Sequence, residues 1–323
     1  MSIFFIIFVI LIFLELAYFR LADKFNIIDK PNLRSSHTSI TLRGGGIIFL
    51  IGAWIYCAFF GLQYPWFMIG LTLIAGISFI DDVHSIKNSI RLAFHFVSMF
   101  LLFYQIGILF PESWYIVAIA LVVCVGIINA YNFMDGINGI TGGYSLAVIV
   151  PLLVVNYSNN FIDNNLLIVS SLSLLVFCFF NFRNKAKCFA DDVGSVGIAF
   201  IILFALGSLM FKSFDISYIV FLAVYGVDSV LTIVHRILLH EHLGEAHRKH
   251  AYQIMANELQ VPHPVVSTLY TILQAAISFG LICLPINHYV YATIVFILLA
   301  GAYVIFMKKY YHLHEEYLKS KSE

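Results

Sequence analysis

The chain has 323 residues, 61% of them hydrophobic and only 11% charged, with 18 basic residues balancing 18 acidic ones. A soluble domain is about a quarter charged, so water is not the main solvent of this protein. The segments Gly44 to Ile80, Leu92 to Pro111, Ser113 to Met134, Leu166 to Phe182 and Leu259 to Met307 contain no Asp, Glu, Lys or Arg. About 20 apolar residues span the hydrocarbon as helix, whereas barrel strands would alternate. The composition predicts an all-α polytopic membrane protein, with the lipid bilayer as its partner and no nucleic acid.

Breaks at Pro, Gly, Asn and charge divide the chain into about eleven transmembrane helices: 2–19, 46–62, 66–80, 91–110, 114–131, 142–157, 166–182, 195–211, 216–234, 265–284 and 289–307. The first is read as a retained helix, since no basic residue precedes it and no small-residue cleavage site follows. Glu15 near its end is expected to snorkel toward headgroups. Every basic residue but Lys212 falls in loops of one parity. Basic loops stay inside, so the N-terminus is expected outside and the C-terminus in the cytoplasm. Five cysteines without pairing or CxxC spacing are read as inert thiols.

The loops on the basic side, near 20–45, 81–91, 129–143, 183–195 and 235–264, also carry the chemistry-bearing residues. A single membrane domain, 1–323, is expected to assemble one site from them. Asp81 and Asp82 end a helix, where an acid pair opposes the dipole and repels itself; a divalent or cationic partner would explain it. Lys87, Arg91 and His95 follow at steps of four, a basic stripe suited to phosphate oxygens. In NAYNFMDGINGITGG, Asn129, Asn132 and Asp135 recur at steps of three, and Gly136, Gly139, Gly142 and Gly143 are expected to let backbone approach a ligand.

Asp191 and Asp192 precede the eighth expected helix, and carboxylates joined by water and phosphate oxygens suit Mg²⁺. Six histidines lie between His235 and His263. H-x-H and H-x-x-H spacings without a nearby thiol make a poor zinc site. Contact with an anionic sugar nucleotide, with Arg248 and Lys249 interleaved, is the preferred reading. Asp228 is expected to face the bundle interior because a charge facing lipid is costly.

The elements RSSHTSITLRGGG, FIDD, NAYNFMDGINGITGG, DDVGS and AHRKHAYQ occur in this order across essentially the whole chain. In them the chain resembles the polyprenyl-phosphate N-acetylhexosamine-1-phosphate transferase family. The AHRKHAYQ form is most similar to initiators of O-antigen and capsule synthesis. The resemblance implies that a UDP-N-acetylhexosamine and undecaprenyl phosphate give undecaprenyl-diphospho-sugar and UMP, with Mg²⁺ or Mn²⁺, at the cytoplasmic face of the bacterial inner membrane. This would be the first membrane step of a surface polysaccharide. Asp81, Asp82 and Asp135 then match catalytic acids, and Asp192 the metal-binding acid. Asp191 stands where the family usually has glycine, leaving both aspartates as metal candidates. Asn138 stands where it often has Asp.

Substrate contacts are expected from Arg43, Lys87, Arg91, Asn129, Asn132, Asn138, His247, Arg248 and His250, and a homodimer is left open. Phosphoryl transfer needs mainly positioning and charge neutralisation, and direct attack by the lipid phosphate is preferred to a phospho-aspartate intermediate. The principal rival is a secondary transporter, which would place its acids near the midplane between internal repeats. An intramembrane aspartyl protease would need two aspartates within opposed helices.

Overall fold

The computed structural model describes residues 3–29, 40–109, 114–242 and 247–322. Twelve α-helices are present among them: α1 (Ile3–Lys24), α2 (Ile47–Phe60), α3 (Pro65–Val83), α4 (Asn88–Ile106), α5 (Trp114–Met134), α6 (Ile140–Asn159), α7 (Asn164–Asn181), α8 (Asp191–Ser213), α9 (Ala223–Leu238), α10 (Ala251–Asn257), α11 (His263–Cys283) and α12 (His288–Ser322). A 3-10 segment, Ile216–Leu222, leads into α9 and completes one span with it. Ten spans are long and apolar enough to cross a membrane, and α2 is a shorter apolar helix. The protein is therefore all-α and polytopic; of the about eleven helices expected, ten reach spanning length among the described residues and that over 46–62 is the shorter α2.

The centre of the bundle is α8. Its residues from Val193 to Leu206 are all buried, because the helix is apolar on every face and packs against α2, α3, α4, α5 and α6. By contrast, α5 and α12 keep most of their apolar surface outward, as helices facing hydrocarbon do. A central helix delivers its first turn to the middle of one end of the bundle. Here that turn carries Asp191 and Asp192.

Several boundaries differ from expectation. Asp191 and Asp192 lie in the first turn of α8 instead of before it. Acids are favoured at a helix N-terminus, where unpaired N–H groups carry partial positive charge. The RGGG loop packs against that turn: a Cβ on Gly194 would lie 2.6 Å from Gly46 Cα, so the two glycines let backbone meet backbone. A small antiparallel pairing, β1 (Ile28–Asp29) with β2 (Thr41–Leu42), holds the chain leading into this loop. The intervening RSSHTS segment lies outside the described residues. Glu15 does not snorkel; it is fully buried, with the Cys188 thiol 3.7 Å from its Oε1. The last helix continues to Ser322, well past the expected end at 307, and the unexpected α10 lies beside its far portion.

Candidate active site

Four segments meet at the start of α8. Asp82, in the last turn of α3, accepts hydrogen bonds from the backbone N–H of Asp192 at 3.2 Å and of Val193 at 3.0 Å. It therefore caps α8 from another helix, supplying the acceptor that an N-terminus lacks internally. This is why an acid remains at an otherwise unfavourable helix C-terminus. Its neighbour Asp81 accepts from the Ile86 N–H at 2.7 Å and from Arg91 Nη1 at 2.9 Å. Arg91 Nη1 also lies 3.2 Å from Asp192 Oδ2. The other Asp192 oxygen accepts from Asn132 Nδ2 at 2.5 Å, and Ser195 Oγ lies 3.5 Å from the same amide nitrogen.

Asp191 completes the cluster from a left-handed backbone, φ +53°, a region that Asp tolerates better than most residues with a side chain. Its carboxylate accepts from Gly44 N–H at 2.6 Å and from Arg43 Nε at 3.2 Å. Arg43 Nη2 lies 3.7 Å from Asp82, and its carbonyl accepts from Tyr18 Oη at 2.6 Å. Burial alone would lower the Arg43 pKa, but Asp191 and Asp82 hold it above its ordinary value. Lys87 stands exposed at the α4 N-terminus, outside this network.

Asp135 lies next to the cluster, where Thr141 Oγ1 donates to its Oδ1 at 2.6 Å. Burial pushes its pKa up to about 7, opposed by the Thr141 hydrogen bond. Asn129, Asn132 and Asp135 diverge despite their regular spacing: the Asn129 amide donates to Val125 O at 2.9 Å, within its own helix. Asn138 turns away from the acids and donates to the carbonyls of Arg183 at 2.9 Å and Asn184 at 3.1 Å. Its own carbonyl accepts from Ser267 Oγ at 2.7 Å. The glycines of this loop do not open backbone to a ligand as expected. A Cβ on Gly136 would strike Tyr252, one on Gly139 or Gly143 would strike Phe182, and one on Gly142 would strike Cys178. They are small because side chains pack onto them.

The last loop forms a second group of contacts. His250 Nδ1 lies 3.3 Å from Asp228 Oδ1, which also accepts from the Ala251 N–H at 3.0 Å. Tyr270 Oη donates to the other Asp228 oxygen at 2.6 Å. The intramembrane acid thus faces the interior, as expected, and seats the start of α10; among the described residues its partners include His250, Ala251 and Tyr270, and no second aspartate. Arg248 is committed to Glu258, at 2.9 Å. The His247 and His250 rings lie 5.0 Å apart, and that of Phe133 is 6.2 and 6.5 Å from them. Burial holds His247 neutral, its pKa lowered to about 3. Its Nδ1 and the Nε2 of His250 are buried without a hydrogen-bond partner among the described residues. Tyr252 Oη donates to the Phe133 carbonyl at 2.8 Å, tying this loop to the one carrying Asp135.

Sequence reasoning missed Thr141, Ser195, Gly44 and Phe133. The hydroxyl residues stand inside the recognised ITGG and DDVGS elements, which was the available signal; nothing in the sequence distinguished Phe133 from its apolar neighbours.

The acids suit a hard divalent cation in chemistry and charge: five carboxylates face two guanidinium groups, and Asp135 is in neither ion pair. Among the described residues no three His, Cys, Asp or Glu side chains form a ready cage. That is compatible with Mg²⁺, which takes one or two carboxylates and completes its shell with water and phosphate. Asp192 is the most open of the four clustered acids, its side chain 26% exposed against 15% for Asp81, 10% for Asp191 and 3% for Asp82.

The model of glycosyl transferase family 4 matches residues 64–210, from the start of α3 into α8. The chain is 27% identical over 260 residues to a probable undecaprenyl-phosphate N-acetylglucosaminyl 1-phosphate transferase of Bacillus subtilis (strain 168), covering 72% of this chain and 70% of that protein. It is 28% identical over 213 residues to a phospho-N-acetylmuramoyl-pentapeptide-transferase of Fervidobacterium nodosum, 60% of this chain and 66% of the relative. A protein of the same name from Kosmotoga olearia is 30% identical over 105 residues, 32% of this chain and 29% of the relative. Over residues 64–210 the chain is similar to glycosyl transferase family 4.

Proposed function

We infer that this protein, similar to glycosyl transferase family 4 over residues 64–210, moves an N-acetylhexosamine 1-phosphate from a UDP-sugar to undecaprenyl phosphate and releases UMP. A phosphate oxygen of the lipid attacks the sugar-linked phosphorus of the donor. The bond from that phosphorus to the bridging oxygen breaks, and the oxygen leaves on UMP. The observation that carries the reading is the convergence of Asp81, Asp82, Asp191 and Asp192 with Arg43 and Arg91 at the first turn of a buried central helix. The matched Bacillus relative supports the substrate classes. A transporter is not favoured, since these acids stand at helix ends and the relatives are transferases.

Transfer between phosphates is limited by bringing negative charges together, so catalysis is mostly positioning and neutralisation. Arg91, in the cluster, is the cation that would neutralise phosphate oxygens, with Lys87 exposed one turn before it at the α4 N-terminus, and Arg43 steadies Asp191 and Asp82. Asp192, oriented by Asn132 and Arg91, would hold Mg²⁺, which would supply charge screening at the diphosphate. Asp82 acts chiefly by fixing the first turn of α8 and Asp81 holds Arg91, whereas Asp135, outside both ion pairs, orients the acceptor. A phosphate monoester with a second pKa of about 6 is mostly dianionic at neutral pH, so no strong base is required and direct attack is retained. The concentration of basic residues at this end supports placing it in the cytoplasm of a bacterial inner membrane.

The test is an assay of purified protein with undecaprenyl phosphate, Mg²⁺ and a panel of UDP-N-acetylhexosamines. UMP release requiring both lipid and metal is expected. No release with any donor, from protein shown to be folded, would refute the proposed reaction.

A further inference from the structure

A helix of 35 residues is about 52 Å long, roughly 20 Å more than a hydrocarbon core of about 30 Å. The surplus of α12 is its charged end, from Lys308 onward, and it is not left free. Tyr311, His314 and Tyr317 recur every three residues along this stretch and meet the last loop in turn. The Tyr311 ring faces Lys249 at 5.9 Å and His235 at 4.5 Å. His314 Nδ1 lies 2.9 Å from Glu258 Oε1. That same oxygen accepts from Arg248 Nη2 at 2.9 Å, and Tyr317 covers the guanidinium at 4.4 Å. The His314 and Glu258 side chains are only 2% and 3% exposed. The same 247–250 segment sets the His247 and His250 rings against Phe133, with His247 Nδ1 and His250 Nε2 without a hydrogen-bond partner among the described residues.

We propose that the projecting end of α12 is a brace that positions the donor-binding loop: Glu258, His314 and Tyr317 clamp Arg248, and Arg248 holds His247 and His250 against Phe133. This deepens the proposed function and rests on it. Arg248 becomes an anchor instead of a phosphate contact, and Tyr317 and His314 become positioning residues that never touch substrate. A charge placed between an acid and an aromatic face is bound from two sides, and the local cost of clamping is offset by the buried contacts around it. Removing the brace would loosen the loop without altering the acid cluster, so donor binding would suffer before the transfer step.

The test uses the full-length protein and the variants Tyr317→Ala, His314→Ala and Tyr317→Phe. The Arg248 and Lys249 side chains are largely covered, so trypsin should cut there slowly in the wild type and rapidly in the two alanine variants, while Tyr317→Phe, which keeps the ring, should resemble the wild type. In turnover, the alanine variants should raise KM for the UDP-sugar about tenfold, with KM for undecaprenyl phosphate and kcat within about twofold. Unchanged trypsin protection in both alanine variants, or a loss confined to kcat, would overturn the brace. The proteolysis needs no substrate. If protection changes as expected but the wild type turns over no UDP-sugar, the reaction fails and the brace stands.

Discussion

Replacing Asp135 by Asn should make the protein more stable near neutral pH while abolishing turnover, a combination that a merely structural residue would not produce. Burial raises the Asp135 pKa from 3.8 to about 7. A raised acid favours the native state most at low pH, and that advantage is lost as pH rises from the unfolded value through the folded one. At 1.36 kcal/mol per pH unit, the ionised carboxylate opposes folding by about 4 kcal/mol at about pH 8 and about 2 kcal/mol at about pH 5. The amide removes this opposition. It still accepts from Thr141 but turns its NH₂ toward a second donor, which costs roughly 1–2 kcal/mol. The net expectation is a variant about 2–3 kcal/mol more stable than wild type at about pH 8 and nearly equal at about pH 5. Tryptophan-monitored unfolding in detergent at the two pH values reads the difference, and UMP release reads activity. A variant destabilised equally at both pH values, or one with wild-type turnover, would refute the reasoning.

Asp192→Asn should leave the protein folded and stop UMP release, and Mg²⁺ titration of any residual activity should show weakened dependence on the metal. Asp191→Gly removes a left-handed strain of roughly 1–2 kcal/mol together with the hold on Arg43 and Gly44; turnover should stay within about tenfold of wild type, and a loss as complete as that of Asp192→Asn would make Asp191 a metal ligand. Gly194→Ala forces a methyl against Gly46 backbone and should lower stability by about 1–3 kcal/mol, seen as a lower unfolding midpoint. Asn138→Asp presents a carboxylate to two carbonyls. A lower midpoint with unchanged KM for the UDP-sugar is expected, and a raised KM with an unchanged midpoint would return Asn138 to the substrate.

The architecture was legible because hydrocarbon imposes length and composition on each span; apolar runs between charged breaks marked out the ten spans and the shorter α2. The nearness of Asp81–Asp82 to Asp191–Asp192 was foreseen from loop parity, but their division of labour was not. Only packing shows that Asp82 caps α8 from across the bundle and that Asp191 holds Arg43, since each depends on a partner about a hundred residues or more away. Packing likewise decided the commitment of Asn138 to Arg183 and Asn184, and of Arg248 to Glu258 and Tyr317, at shorter separations that local pattern did not reveal. Glycines around Asp135 illustrate the limit most directly: a small residue signals close approach, but the sequence does not say whether a ligand or a tyrosine approaches.

What the sequence by itself determined was the solvent of each segment and the end of the bundle where charge collects, because transfer free energy and the inside bias of basic loops act on local composition. Only the tertiary structure decided which acid is a cap, which is a clamp and which remains open. Those roles depend on the angles and distances between helices that the chain order does not encode locally.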